Sequence, residues 1–235
     1  MANATIASSS LIVFTRYPKA GQTKTRLIPA LGAAGAATLQ RHMTEYLIGK
    51  LQPFCQAQSL CLNVHFAGGS QSQMLAWLGP GIALTPQCAG SLGEKLIYAM
   101  AQAFAAGRQQ VIAIGSDCPA ISSQEIGQAL SFLPSCDVVL GPAVDGGYYL
   151  IALKAMHPCL FQDIPWGTHQ VLETTKAIAD KHGLSVALLP VLTDIDRPAD
   201  LPLWTALRSA ESQSSLPLST FETADSSSSS PQIEL

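Results

Sequence analysis

Charge is scarce in this chain. Only 12% of its 235 residues are Asp, Glu, Lys or Arg, and aromatic residues make up 6%. The 13 basic residues are outnumbered by 16 acidic ones and form no block. A nucleic-acid interface needs clustered cations to displace the counterions of a phosphate backbone, so none is expected. No apolar run approaches the ~18 residues of a membrane span. The opening MANATIASSS lacks the basic and apolar segments of a secretory signal, so the expected address is cytoplasmic. The six cysteines (Cys55, Cys61, Cys88, Cys118, Cys136 and Cys159) form no CxxC pair, and no His-rich stretch accompanies them. They read as reduced core residues rather than zinc ligands. No GxGxxG follows the first apolar run, which argues against a dinucleotide oxidoreductase, and the P-loop spacing GxxxxGK[ST] is missing too.

What is present is apolar: 48% of residues are hydrophobic, in short runs separated by helical patterns. Runs at 11–15, 60–66, 82–85, 111–115, 138–141, 148–153 and 186–189 predict strands. Helices are predicted over 33–51, 71–78, 92–106, 168–182 and from Pro198 onward, with a further one opened by the capping box Ser122-Ser123-Gln124-Glu125 and running through Leu133. Strands alternating with helices predict an α/β fold: one Rossmann-like, mixed but mostly parallel sheet with helices on both faces. The expected organisation is a flexible N-terminus over 1–10, one domain over 11–208, and a disordered tail over 209–235, where serine is abundant and apolar periodicity is lost.

Four constellations stand where such a fold does chemistry. The loop after the first strand, Thr15-Arg16-Tyr17-Pro18-Lys19-Ala20-Gly21-Gln22-Thr23-Lys24-Thr25-Arg26, carries four cations. At the carboxyl edge of a parallel sheet, these and the loop N–H groups suit a diphosphate, although a solvated basic loop would read the same way. Gly115-Ser116-Asp117-Cys118-Pro119 follows the clearest strand; its carboxylate suits Mg²⁺ or Mn²⁺, or a simple turn. Gly141-Pro142-Ala143-Val144-Asp145-Gly146-Gly147-Tyr148-Tyr149 reads as a tight hairpin in which Asp145 is placed to orient or deprotonate an acceptor hydroxyl, with Gly146, Gly147 and Tyr148 near the acceptor. In Asp194-Ile195-Asp196-Arg197-Pro198-Ala199-Asp200, Asp194 and Asp196 share a face of an extended segment, so either is placed to complete a metal site with Asp117; the plainer reading is that Asp196 and Asp200 favour a helix N-terminus. Gly93, at a helix start, is a candidate base contact, and Trp166 a candidate wall of an acceptor pocket or a staple into the core. His65, in an apolar strand, reads as a core histidine.

Taken in order, TRYPKAGQTKTRL, SLGEKL, GSDCPAI, GPAVDGGYYLIAL, IPWGT and DIDRPADL resemble the uncharacterised glycosyltransferase-like family DUF2064, over about 11–207. That family is related to the molybdenum-cofactor and F420-pathway nucleotidyltransferases. The resemblance implies a glycosyltransferase-A, or nucleotide-diphospho-sugar transferase, fold. It implies that the loop from Arg16 to Arg26 holds a nucleotide's phosphates, that Asp117 binds the metal, and that Asp196 or Asp194 is the second ligand. It departs at Lys95, where the family tends to carry Arg, and at Arg197, where a Thr usually caps the last helix. The expected activity is metal-dependent transfer from a nucleotide sugar, or from a nucleoside triphosphate, to an acceptor that the residues do not identify. A non-catalytic nucleotide-binding module is the rival.

Overall fold

A computed structural model describes residues 8–214. The chain runs β1 (Ser9–Arg16), a 3-10 turn at Thr25–Leu27, α1 (Ile28–Ala57), β2 (Cys61–Ala67), α2 (Gln71–Leu78), β3 (Ala83–Pro86), α3 (Leu92–Ala105) and β4 (Gln110–Gly115). It continues through α4 (Ser123–Phe132), β5 (Val138–Pro142), β6 (Tyr148–Leu153), α5 (Val171–Lys181), β7 (Val186–Leu188) and α6 (Leu201–Ser214).

The strands form one sheet in the order β3-β2-β1-β4-β6-β5-β7. β1 pairs in parallel with β2 and β4, β2 with β3, and β5 with β7; β6 is antiparallel to both neighbours. The sheet is therefore mixed and mostly parallel. Alternation along β1 shows why its run is apolar throughout. Leu11 and Val13 pack with Leu47 and Leu51 of α1 and Ile126 of α4, while Ile12 packs on the other face with Leu96 and Met100 of α3. Each such fully buried side chain contributes about 1.5–3 kcal/mol.

Several boundaries differ from expectation for local reasons. The regular part of α1 starts after a break at Gly32, as the pattern suggests, but the helix passes Leu51 and Pro53 to Ala57. Phe54 and Cys55 pack into the core there, and packing outweighs the proline. α5 begins at Val171 rather than Thr168, because the Thr168 hydroxyl donates to Pro165 O and accepts from Gln170 N, closing a turn first. β1 starts inside the segment expected to be flexible, and α6 carries the chain six residues into the segment assigned to the tail. Residues 1–7 and 215–235, the rest of those two segments, lie outside the described residues. No helix among the described residues is long and apolar enough to cross a membrane. All six cysteines are free, with Cys55, Cys118 and Cys136 buried.

Candidate functional site

From β1 the chain steps outward to β2 and β3, then returns to β4 on the other side of β1. That reversal opens a crevice at the carboxyl ends of β1 and β4, the place where open α/β sheets bind ligands. Here it is a cleft of about 540 Å³, lined by Thr15 and Arg16 from β1, Gln22 to Arg26 from the loop, Ser116 and Asp117 after β4, and Asp196. Its floor is a buried hydroxyl network. Gln40 Nε2 shares its two N–H donors among the hydroxyls of Thr15, Thr44 and Ser116 at 3.0–3.2 Å, and Ser116 Oγ donates to Thr15 Oγ1 at 2.9 Å. Every member satisfies another, so the strand ends are held rigidly without a loose buried polar group.

The loop reaches the cleft by an inward bend. Thr23 is buried; its hydroxyl donates to Tyr17 O at 3.1 Å and accepts from Lys19 N at 3.2 Å. Lys24 has φ 50, a left-handed conformation that costs a non-glycine residue about 1–2 kcal/mol. The bend carries its side chain into the interior, where it is 3% exposed. The ammonium lies 2.9 Å from Asp117 Oδ1 and 3.6 Å from Asp196 Oδ1, and it donates to Ile195 O at 2.6 Å. Arg26 Nη1 donates to Asp196 Oδ2 at 2.6 Å. Asp200 fixes this segment by accepting from Asp196 N at 3.0 Å and Arg197 N at 2.7 Å, the helix-start role anticipated for it. Ile195 N in turn donates to Asp117 O at 2.9 Å, tying the two carboxylate-bearing segments together.

Beyond Asp117 lies a second hollow, a chamber of about 300 Å³. Leu96, Ile151, Val171, Tyr148 and Trp166 form its apolar walls, and Asp117, Asp145 and Asp194 carry its charge. Asp194 is pushed up from the ordinary 3.8 to about 7, first by burial, then by the neighbouring charges of Asp117 and Asp145. Asp145 is exposed and uses Oδ1 to accept from Gly147 N at 2.8 Å, so the hairpin turn engages one oxygen and leaves the other. Tyr148 packs edge-to-face on Trp166, centroids 6.1 Å apart. Its hydroxyl is the buried side-chain atom without a hydrogen-bond partner among the described residues; nearby Thr175 donates instead to Val171 O at 2.9 Å.

The residues singled out in the sequence fall into three groups. Thr15, Arg16, Lys24, Arg26, Asp117 and Asp196 line the cleft; Asp117, Asp145, Gly147, Tyr148, Trp166 and Asp194 line the chamber. Asp117 belongs to both. Lys19, Gly21, Gly93 and Gly146 line neither. Lys19 and Gly21 shape the loop. Gly93 is buried where any Cβ would overlap Phe161 O and press on Trp166 Nε1, so close packing explains it. Gly146 has φ 88 and sits against the His169 carbonyl. The shared face of Asp194 and Asp196 is only partly realised. Both border a side hollow with Arg26 and Asp200, but Asp194 turns to the chamber and Asp196 to the cleft. The segment is not a strand there, and buried Ile195 divides them. His65 is the core histidine anticipated: 2% exposed, stacked on Phe14 at 5.6 Å, its pKa lowered by burial to about 4. Gln40 and Gln87 also line the cleft and were not singled out in the sequence, and Ser116 was named there only as part of the Gly115–Pro119 segment. A glutamine on the inward stripe of an otherwise apolar helix was the clue to Gln40.

A parallel-biased sheet with this strand order, covered on both faces and open at the switch crevice, is the nucleotide-diphospho-sugar transferase fold. The model of the DUF2064 family, described as "uncharacterized protein conserved in bacteria", matches residues 51–168, and the chain belongs to that family. A crystal structure of a Desulfovibrio desulfuricans G20 protein assigned as a nucleotide-diphospho-sugar transferase is 29% identical; the match covers 88% of this chain and 96% of that one, with TM-score 0.77. At the level of fold alone the chain is similar to a CMP:2-keto-3-deoxy-manno-octonic acid synthetase complexed with CTP (14% identity, 87% and 100% covered, TM-score 0.53). It is likewise similar to glucosyl-3-phosphoglycerate synthase from Mycobacterium tuberculosis in complex with Mn²⁺, UDP and glucosyl-3-phosphoglycerate (14% identity, 91% and 82% covered, TM-score 0.54). Among curated proteins, none matches.

Proposed function

We propose that this chain is a transferase acting on an activated nucleotide, whose phosphates occupy the cleft while the group they react with occupies the chamber beyond Asp117. Glycosyl transfer from a nucleotide sugar is the reading adopted. Nucleotidyl transfer from a triphosphate would use the same cleft, since four cations line it (Arg16, Lys24, Arg26 and Lys95). The reading rests above all on the Lys24 cluster with Asp117 and Asp196, which the topology sets at the switch crevice. The 29%-identical D. desulfuricans protein and the CTP- and UDP-bound proteins of like fold support it.

Asp117 and Asp196 offer hard carboxylate oxygens, the donor type that Mg²⁺ and Mn²⁺ take, and phosphate oxygens and waters would complete such a shell. These residues fit a divalent cation, with one condition: the Lys24 ammonium lies between them. A bound cation would offset charge developing on the phosphate oxygens. The chain's own part is then plain. Lys24 leaves the carboxylate pair to pair with phosphate, Arg26 and Arg16 hold the remaining oxygens, and Asp145 aligns the acceptor hydroxyl.

The test is a thermal-shift and product screen over nucleotide sugars and nucleoside triphosphates, with and without Mg²⁺ or Mn²⁺. A ligand at 100 times its Kd adds about 2.7 kcal/mol of stability. Metal and nucleotide are expected to tighten each other by the same factor, and Asp117→Asn to abolish that coupling. Lys24→Met should weaken nucleotide binding by about 1.5–3 kcal/mol and strengthen metal binding in nucleotide-free protein. Nucleotide binding without turnover of any substrate would favour a binding module. No metal dependence with any nucleotide would sink the metal assignment.

A further inference from the structure

The cleft and the chamber meet at Asp117, yet their linings differ in kind. Four cations border the cleft, whereas among the described residues no Lys, Arg or His lines the chamber. The charges there are Asp117, Asp145 and Asp194. Lys24 pairs with Asp117 from the cleft side at 2.9 Å, so the acidic groups left to the chamber are Asp145 and Asp194, and burial holds Asp194 toward its neutral form. A phosphate or carboxylate entering would meet no Lys, Arg or His in the lining, only the Lys24 ammonium already paired with Asp117 at its border, and would lose its hydration beside acidic groups. Hydrogen-bond donors would find the opposite. The free carboxylate oxygens are acceptors, as is the second oxygen of Asp145 left over from its turn. The walls add flat apolar surface, with Tyr148 and Trp166 in edge-to-face contact and Leu96 and Ile151 in the same lining. Rings whose C–H faces are apolar and whose rim bears hydroxyls match both halves of that lining. At about 300 Å³ the chamber is at the small end of ligand pockets, room for about one such ring.

We infer that the chamber takes a neutral, hydroxyl-bearing ring of sugar or cyclitol size, and that it selects against phosphorylated or carboxylated forms of the same ring. This rests on reading the cleft as the seat of the nucleotide, and it names the class of group that the nucleotide meets. In the M. tuberculosis synthase of like fold, the bound glucosyl-3-phosphoglycerate carries phosphate and carboxylate. The charge of this chamber points to a different acceptor chemistry.

The experiment follows the Trp166 indole N–H by NMR, assigned with Trp166→Phe, while the full chain is titrated with glucose and myo-inositol and, separately, with glucose 1-phosphate and 3-phosphoglycerate. At least one neutral polyol is expected to shift the Trp166 signal with a Kd about tenfold or more below that of either anion. In Asp145→Asn/Asp194→Asn the gap should shrink by about tenfold. A phosphorylated probe that binds as tightly as the polyols, or a Trp166 signal that responds to none of them, overturns the inference. Nucleotide binding is measured on the same samples by calorimetry. Its absence would remove the cleft reading while leaving the chamber's preference for neutral rings standing or falling on its own titration.

Discussion

The cleft and the chamber lie on the two sides of one carboxylate and are built by different means. The cleft is floored by side-chain hydrogen bonds, from Gln40 to Thr15, Thr44 and Ser116, and lined by cations brought in on a bent loop. The chamber rests on close backbone approaches at Gly93 and Gly146, apolar walls, and carboxylates held near one another. A polar network can tolerate exchange of solvent for ligand oxygens. A packed glycine contact tolerates almost no change of shape. The two halves should therefore fail differently when perturbed.

The largest effect is expected where packing alone decides. Gly146→Ala forces a Cβ into the His169 carbonyl at a backbone φ of 88. Stability should fall by about 3 kcal/mol or more, read from urea unfolding. Metal-independent nucleotide affinity of the folded fraction should hardly change. A loss under about 1 kcal/mol would mean that the chamber is softer than its packing suggests.

Next is Asp194. Its folded pKa of about 7 exceeds the ordinary 3.8, so between those values the native state holds a proton that the unfolded chain has released. The sign follows: this group's contribution falls as pH rises from about 4 to 7, by a few kcal/mol at about 1.4 kcal/mol per pKa unit. Asp194→Asn should flatten that fall, and equilibrium unfolding across the range checks it. Equal slopes in both proteins would mean that neither burial nor the neighbouring carboxylates raise the Asp194 pKa.

The smallest effect concerns the cleft floor. Gln40→Leu removes a donor shared by three hydroxyls that can partly re-pair among themselves, as Thr15 and Thr44 already do at 3.1 Å. A stability loss of about 1–3 kcal/mol is expected. Nucleotide affinity, measured calorimetrically, should weaken as well, because Thr15 and Ser116 line the cleft. Stability lost with affinity intact would mark the network as scaffold alone.

Much of this was legible in the chain. Strands buried on both faces read as apolar runs, and the box at Ser122–Glu125 marks a helix start that the structure keeps. Most of the cleft was legible too, because Arg16, Lys24, Arg26 and Asp117 follow strands whose ends the fold must bring together. The roles of Gly93 and Gly146 were not. A glycine that admits a ligand and one that admits another stretch of backbone look the same in sequence. The separation of Asp194 from Asp196 was equally hidden, since period-two reasoning assumes a strand and that segment is irregular.

What the sequence by itself determined is therefore the fold class, the order of elements and the side of the sheet on which polar residues gather, because hydrophobic periodicity and strand ends are local properties. What only the tertiary structure decided is how charges pair across the crevice. Lys24 reads as one more loop cation until the left-handed bend turns it inward and the segments after β4 and β7 supply Asp117 and Asp196, residues 93 and 172 positions further along the chain. Electrostatic partnership depends on distances of a few ångströms, and those are set by packing rather than by separation along the chain.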